Sequence, residues 1–174
     1  MKERRLITAL IFILVLAATY SIALAEPERV NVRPFGGEYC ATTSQEVYLR
    51  YGWAACSRGL VSDYFDSIGH EFYLNGDHLY SSGEIGNDLW GPIEPFLDWG
   101  GEECLWSVDN TWLAWWNYRL GMMKAGDYEI HFIRSFDFTI TDGTDMEGDG
   151  NIDIREGTQE YFTTLHIVED ECPQ

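Results

Sequence analysis

Apolar and polar residues alternate along most of the chain beyond residue 45. Within Glu46–Trp53 the apolar residues stand at every second position, and this period predicts a strand with one buried face. Similar patterns predict further strands in segments 70–74, 77–80, 111–120, 128–140 and 160–168. Short strands separated by turns favour an all-β fold. We therefore expect an antiparallel β-sandwich, immunoglobulin-like, with a jelly roll as the alternative.

Local breaks in this alternation predict turns and irregularities. Asn75-Gly76 lies between two short strands and is typical of a two-residue hairpin turn. Arg134 interrupts the apolar face that runs from Tyr128 to Ile140, which indicates a bend or bulge at that position. Segment 83–103 is rich in glycine and proline, and it predicts a long irregular loop.

Segment 58–68 follows a different period. Its apolar residues are three and four positions apart, which predicts one short surface helix. Ser57 is the expected N-cap, because its hydroxyl can accept a hydrogen bond from the first turn. Gly69 is the expected end of the helix.

The first 25 residues have the layout of a secretory signal peptide. A basic start and an apolar run lead to Ala23-Leu24-Ala25, a site of the small-residue type that is cleaved. Cleavage there leaves a single domain, residues 26–174. The apolar run is about 20 residues, long enough to span a bilayer. An uncleaved membrane anchor is therefore the alternative.

The chain is strongly acidic. It has 11 Lys and Arg against 29 Asp and Glu, a net charge of −18. Residues 1–25 contain Lys2, Arg4, Arg5 and Glu3, so the remainder has 8 against 28, a net charge of −20. Such a surface repels nucleic acid and anionic membranes and attracts cations.

Four cysteines occur, at Cys40, Cys56, Cys104 and Cys172. An even number in an exported chain predicts two disulfides, for which three pairings exist. Proximity along the chain favours Cys40–Cys56 with Cys104–Cys172. A bridge from Cys172 fixes the C-terminus in any pairing.

The most specific feature is the stretch DMEGDGNIDIRE, residues 145–156. Carboxylates and one amide recur at alternate positions, and these side chains are Asp145, Glu147, Asp149, Asn151, Asp153 and Glu156. Calcium takes six to eight oxygen ligands in flexible geometry, and a tight loop of such side chains can surround it. Zinc and copper favour histidine or cysteine, and the stretch contains neither. The predicted cofactor is Ca²⁺.

This stretch resembles the calcium loop of EF-hand proteins and dockerin-type loops. The resemblance covers these twelve residues only, and it implies ligands at positions 1, 3, 5, 7, 9 and 12. In that register Gly150 takes the sharp turn at position 6 and Ile152 the apolar position 8. Glu147 is longer than the usual residue at position 3. The upstream flank is strand-like rather than helical, so we expect a structural clamp and not a sensor. Asp142 is a candidate extra ligand.

Tryptophan is concentrated in one region, at Trp90, Trp99, Trp106, Trp112, Trp115 and Trp116. Large rings either build a core or form a platform on which sugars stack. Alternation places one of Trp115 and Trp116 on the outside. A carbohydrate-binding module that uses exposed tryptophans is therefore an alternative function.

The remaining polar residues do not suggest catalysis. The four histidines, His70, His78, His131 and His166, have no metal-ligand spacing, although His131 and His166 are candidate cross-strand neighbours. No G-x-S-x-G motif marks a nucleophile. We therefore expect that the protein is not an enzyme.

Together these features predict a secreted or cell-surface calcium-binding β-sandwich with a binding or assembly role. Its expected partners are calcium, a carbohydrate or protein at the cell surface, or copies of itself, and no nucleic acid. A calcium-dependent subunit of an extracellular fibre or layer is a further alternative. A membrane is a partner only if the N-terminal segment is uncleaved.

Overall fold

The computed structural model describes residues 26–82, 89–96, 104, 111–144, 154 and 156–173. Residues 1–25, where the signal peptide is predicted, lie outside this set. The described elements, in chain order, are β1 (Arg29–Val32), β2 (Gly37–Thr42), β3 (Glu46–Ala55), α1 (Arg58–Ser67), β4 (Ile68–Leu74), β5 (Asp77–Ser81), β6 (Glu94–Phe96), β7 (Thr111–Gly121), β8 (Gly126–Phe136) and β9 (Gly157–Val168).

These strands form two sheets that pack face to face, which confirms the all-β fold class. Sheet A has the order β1-β3-β7-β6, and sheet B has the order β2-β9-β8-β4-β5. The rings of Tyr51 and Trp116 in sheet A each lie 5.9 Å from the ring of Phe132 in sheet B. The inward residues of both sheets therefore share one core, as in a β-sandwich.

The order of the described strands is immunoglobulin-like rather than that of a jelly roll. Two pairs depart from the antiparallel pattern, because β1 pairs with β3 and β2 pairs with β9 in parallel. Antiparallel pairing is natural for strands joined by a hairpin. The chain instead crosses from sheet A to sheet B between β1 and β2, through Gly36 and Gly37 with φ near +100°. Neither parallel pair is joined by a hairpin.

The hairpin and the helix follow the sequence closely. Asn75 and Gly76 both have positive φ and connect β4 to β5 in the predicted two-residue turn. The Ser57 hydroxyl accepts a hydrogen bond from the Leu60 amide, which confirms the N-cap. The predicted end at Gly69 is wrong: the helix ends at Ser67, and the chain turns extended at Ile68 and enters β4. Within the described ranges, no helix is long and apolar enough to cross a membrane.

The bend predicted at Arg134 is also wrong. β8 pairs with β9 in unbroken register from Gly126 to Phe136, and Arg134 lies within that run. Its guanidinium carbon is 4.7 Å from the centre of the Phe35 ring and 5.2 Å from that of Tyr161. Aromatic faces attract the cation there, so an arginine occupies an inward position without distorting the strand.

The cysteine pairing favoured by proximity along the chain is wrong. The disulfides are Cys40–Cys172 and Cys56–Cys104. Because β2 lies parallel to β9, Cys40 is level with His166, and the short tail after β9 brings Cys172 to it. Cys104 instead pairs with Thr144 through an isolated bridge beside the end of β3, where Cys56 follows. The expectation of two disulfides, with one fixing the C-terminus, is confirmed.

Candidate functional site

Most of the predicted calcium loop lies outside the described residues. This applies to Asp145, Glu147, Asp149, Asn151 and Asp153, so their arrangement stays a prediction. Glu156 is described. It is exposed and directly precedes Gly157, the first residue of β9. A ligand at Glu156 is therefore connected to the longest described strand.

A short backbone bridge joins Ile140, which precedes the predicted loop, to Ile154, its tenth residue. The Ile140 amide donates to the Ile154 carbonyl oxygen at 2.9 Å, and the Ile154 amide donates back at 3.2 Å. Both side chains are buried in the main core. Ile140 and Ile154 are therefore held together, although β8 itself ends at Phe136.

The entry to the loop is fixed against the end of β3. The Asp142 carbonyl accepts a hydrogen bond from the Cys56 amide at 2.7 Å. The Asp142 carboxylate accepts from both the amide and the hydroxyl of Thr144, each at 2.7 Å. These bonds form a local turn, which gives Asp142 a structural role whether or not it also binds a metal.

Gly143 fits closely into this corner. A Cβ atom added to it would lie 2.9 Å from both the Cβ of Cys56 and a methyl of Leu60, and its φ is +87°. The Cys56–Cys104 disulfide and the start of α1 therefore both pack on the residues that enter the loop. Among the described residues, no group of three or more His, Cys, Asp or Glu side chains is arranged to hold a metal.

The described tryptophans divide as alternation predicts. Trp116 is fully buried, whereas Trp115 is 40% exposed on the outer face of sheet A. The Trp115 ring lies over Gly52, where an added Cβ would be 2.9 Å from Cε3, and the Arg50 guanidinium lies 4.2 Å from its ring centre. The contacts with Gly52 and Arg50 thus cover part of this outward-facing ring. Trp99 and Trp106 lie outside the described residues.

The outer face of sheet B carries a row of rings, which we call the outer row: His78, Tyr73, His131 and Phe162. They stand on four neighbouring strands at directly paired positions. Ring centres are 5.0 Å apart for His78 and Tyr73, 5.5 Å for Tyr73 and His131, and 4.4 Å for His131 and Phe162. Phe162 is 56% exposed, the second most exposed large apolar side chain among the described residues after Met122.

A cavity of about 410 Å³ opens beside this row on the same face. We call it the hydroxyl pocket. It is lined chiefly by Glu71, Glu160, Ser81, Ser82, Ser135 and Thr158. Gly69 lies at its floor, since an added Cβ would be 2.7 Å from the Ser135 hydroxyl oxygen.

The pocket and the row are joined by two hydrogen bonds. The Tyr73 hydroxyl donates to Glu71 at 2.9 Å, and His131 Nε2 lies 3.0 Å from a Glu160 carboxylate oxygen. Each carboxylate at the pocket is thereby held by a ring of the row. The two features form one continuous surface.

The histidines occupy separate environments. His131 and His166 are not cross-strand neighbours, because His131 pairs with Phe162 and His166 with Asp127. His166 Nδ1 lies 2.7 Å from the Asp127 carboxylate. His70 is buried between the sheets, where its Nε2 contacts the Tyr51 hydroxyl. Burial, with the Arg134 charge as a second cause, lowers the pKa of His70 to about 3.

The outer row was missed in reading the sequence, although a signal for it exists. Phe72-Tyr73 and Tyr161-Phe162 are adjacent aromatic pairs within strands. Since neighbouring strand residues face opposite sides, each pair must place one ring outside. What the sequence does not give is the register that aligns Tyr73 and Phe162 with His131.

Comparisons with protein-family models, curated proteins and solved structures found no match for this chain. The chemistry of its own residues is therefore the basis for assigning a function.

Proposed function

We propose that this protein is an exported β-sandwich that binds one calcium ion in the loop 145–156. The ion acts as a structural clamp on the connection from β8 to β9, and the protein has a binding or assembly role outside the cell or at its surface. The observation that carries the proposal is the complete ligand register of the sequence, from Asp145 to Glu156.

The described ends of the loop support this role. The bridge from Ile140 holds the loop at Ile154, and Asp142 ties the residues before the loop to Cys56. A calcium loop gains affinity when its ends are already held, because less chain must be ordered on binding. The fixed backbone at Asp142 and Ile154 therefore lowers the cost of ordering the loop when an ion binds.

Electrostatics provides the reason for a cation. The loop contains five carboxylates, at Asp145, Glu147, Asp149, Asp153 and Glu156. They repel one another at neutral pH, and one divalent ion offsets that repulsion. The loop joins strands rather than a pair of helices, so the opening motion of sensor EF-hands has no counterpart here.

The disulfides are consistent with a protein that acts outside the cell. Both disulfides are formed and no free cysteine is found among the described residues, which indicates an oxidising environment. Calcium sites in extracellular modules typically have dissociation constants of about 10⁻⁴ to 10⁻³ M. Secretion through residues 1–25 is part of the proposal.

The test is thermal unfolding of the purified, oxidised protein in EDTA, in calcium at a few millimolar, and in magnesium. With a Kd of about 10⁻⁴ to 10⁻³ M, calcium at a few millimolar is about 3 to 30 times Kd and adds about 1–2 kcal/mol, which corresponds to roughly 2–8 °C for a chain of this length. We expect that rise with calcium, little with magnesium, and none in Asp149→Ala.

Asp63→Ala is the matched control, because Asp63 is exposed on α1 and outside the loop. It should keep the full calcium response. An equal response to magnesium, or a calcium response that survives in both Asp149→Ala and Glu156→Ala, would refute the clamp. Light scattering of the same samples separates the two roles: calcium-dependent growth in particle size supports assembly, and a constant size supports a binding module.

A further inference from the structure

The outer row ends in an open aromatic face. His131 covers one side of the Phe162 ring, at a ring-centre distance of 4.4 Å with the planes only 6° apart. On the other side lies β2, and its parallel register places Gly36, which has no side chain, next to Phe162. The ring is therefore supported on one face and 56% exposed in total.

The neighbouring hydroxyl pocket offers groups that both donate and accept hydrogen bonds. Ser81, Ser82, Ser135 and Thr158 contribute hydroxyls, and Glu71 and Glu160 contribute carboxylates. Carboxylates only accept when ionised, whereas hydroxyls do both. This mixture matches a ligand that carries many hydroxyl groups. A purely cationic ligand would offer no acceptor to the hydroxyl hydrogens.

Charge narrows the ligand class further. Sheet B contains one Lys or Arg, Arg134, and its guanidinium faces inward onto Phe35. The strands also carry six carboxylates, at Glu38, Glu71, Asp77, Asp127, Glu129 and Glu160. Anionic ligands, including uronic-acid and sulfated polymers, are repelled from such a face.

We propose that the outer row and the hydroxyl pocket bind a neutral carbohydrate chain. One sugar stacks its apolar face on Phe162, and a neighbouring sugar places hydroxyls against Glu71, Glu160 and the pocket hydroxyls. The volume of about 410 Å³ is within the range of small-ligand sites. The surface differs from the tryptophan platform, because Trp115 lies on the other sheet.

This site goes beyond the proposed calcium clamp and does not rest on it. The outer row lies on paired residues of β4, β5, β8 and β9. The pocket residue nearest to the loop in sequence is Thr158, two residues after Glu156. Binding measured in EDTA and again in calcium therefore separates the two proposals.

The test is affinity gel electrophoresis of the full protein in native gels that contain one soluble polysaccharide each. The neutral probes are a β-glucan, an α-glucan, a xylan and a mannan, and polygalacturonate is the anionic control. We expect retardation by at least one neutral probe and none by polygalacturonate. Phe162→Ala and Glu71→Gln should each weaken that interaction roughly tenfold or more.

Phe138→Ala is the matched control, because Phe138 is 43% exposed and lies beyond the end of β8. It should bind as the unchanged protein does. Far-UV circular dichroism checks that each variant is folded, and Glu71→Gln carries the test if Phe162→Ala is not.

Two results would overturn the proposal. The first is no retardation of the unchanged protein by any of the four neutral probes. The second is retardation that is the same in Phe162→Ala, Glu71→Gln and Phe138→Ala.

Discussion

The two faces of sheet B are built from the same strands but have opposite chemistry. On the inner face, Phe72, Ile130, Phe132 and Leu165 are fully buried and pack against sheet A. On the outer face, the rings of Tyr73, His131 and Phe162 stack on one another with solvent above them. Aromatic residues occur on both faces, so the side on which a ring lies, and not its type, determines whether it contributes to stability or to recognition.

His70 and His131 differ in the same way, because one faces the core and the other faces solvent. His70 faces inward, contacts the Tyr51 hydroxyl, and has a pKa lowered to about 3 by burial and by Arg134. Burial also raises the pKa of Tyr51, so its hydroxyl stays protonated where it contacts His70. His131 faces outward, where it pairs with Glu160 and Phe162. One is a fixed part of the core, and the other is available to a ligand.

The largest expected effect comes from removing an inner ring. Phe132 is fully buried and lies within 6 Å of the rings of Tyr51, His70 and Trp116. Phe132→Ala should lower the free energy of unfolding by about 3–5 kcal/mol, because it removes buried area and leaves a cavity. Urea unfolding followed by tryptophan fluorescence measures it. A loss below about 1 kcal/mol would contradict the assignment of Phe132 to the core.

The second effect, of intermediate size, is a loss of folding stability at acid pH. Between pH 6.5 and about 3 the unfolded chain protonates His70 and the folded protein does not. The free energy of unfolding therefore falls as the pH is lowered through this window, by about 1.4 kcal/mol per pH unit, and His70 has no such effect above it.

His70→Gln isolates this contribution, since the glutamine carbonyl can accept from Tyr51 and does not titrate. Urea unfolding at pH 6.5 and pH 5 should show the unchanged protein losing about 1.6 kcal/mol more than the variant, because an unfolded histidine is already half protonated at pH 6.5. Equal losses in both proteins would mean that His70 is protonated in the fold. The carboxylates titrate in both proteins, so their contribution cancels in the comparison.

The assignment of faces could be predicted from sequence because alternation is a local property. Val47, Leu49 and Tyr51 were expected inside and are buried, as are Leu165 and Ile167. Arg134 was assigned wrongly for a physical reason. Hydropathy patterns treat arginine as polar, whereas its guanidinium lies against the rings of Phe35 and Tyr161 and hydrogen-bonds to Gln159.

Features that depend on the pairing of strands far apart in sequence could not be predicted from local alternation. The Cys40–Cys172 disulfide joins residues 132 positions apart, and it follows from the parallel pairing of β2 with β9. The outer row likewise requires the registers of three strand pairs. The predicted calcium register is the opposite case, because its proposed ligands lie within one short segment and are recognised from sequence without knowledge of the fold.

The smallest expected effect is on the stability of the outer row. Cross-strand pairs on a solvent-exposed face contribute about 0.2–1 kcal/mol each, because they bury little area. Phe162→Ala and His131→Ala should each lower the free energy of unfolding by less than about 1 kcal/mol. The double variant then gives the coupling between the two rings.

Phe162→Ala is chemically the same change as Phe132→Ala on the neighbouring strand, so the pair compares the two faces directly. A loss for Phe162→Ala close to that for Phe132→Ala would mean that the outer ring is needed for folding. That result would remove the distinction between the two faces. A small loss together with weakened retardation by a neutral polysaccharide would instead show that the ring contributes to binding, because the variant would then lose affinity while keeping its fold.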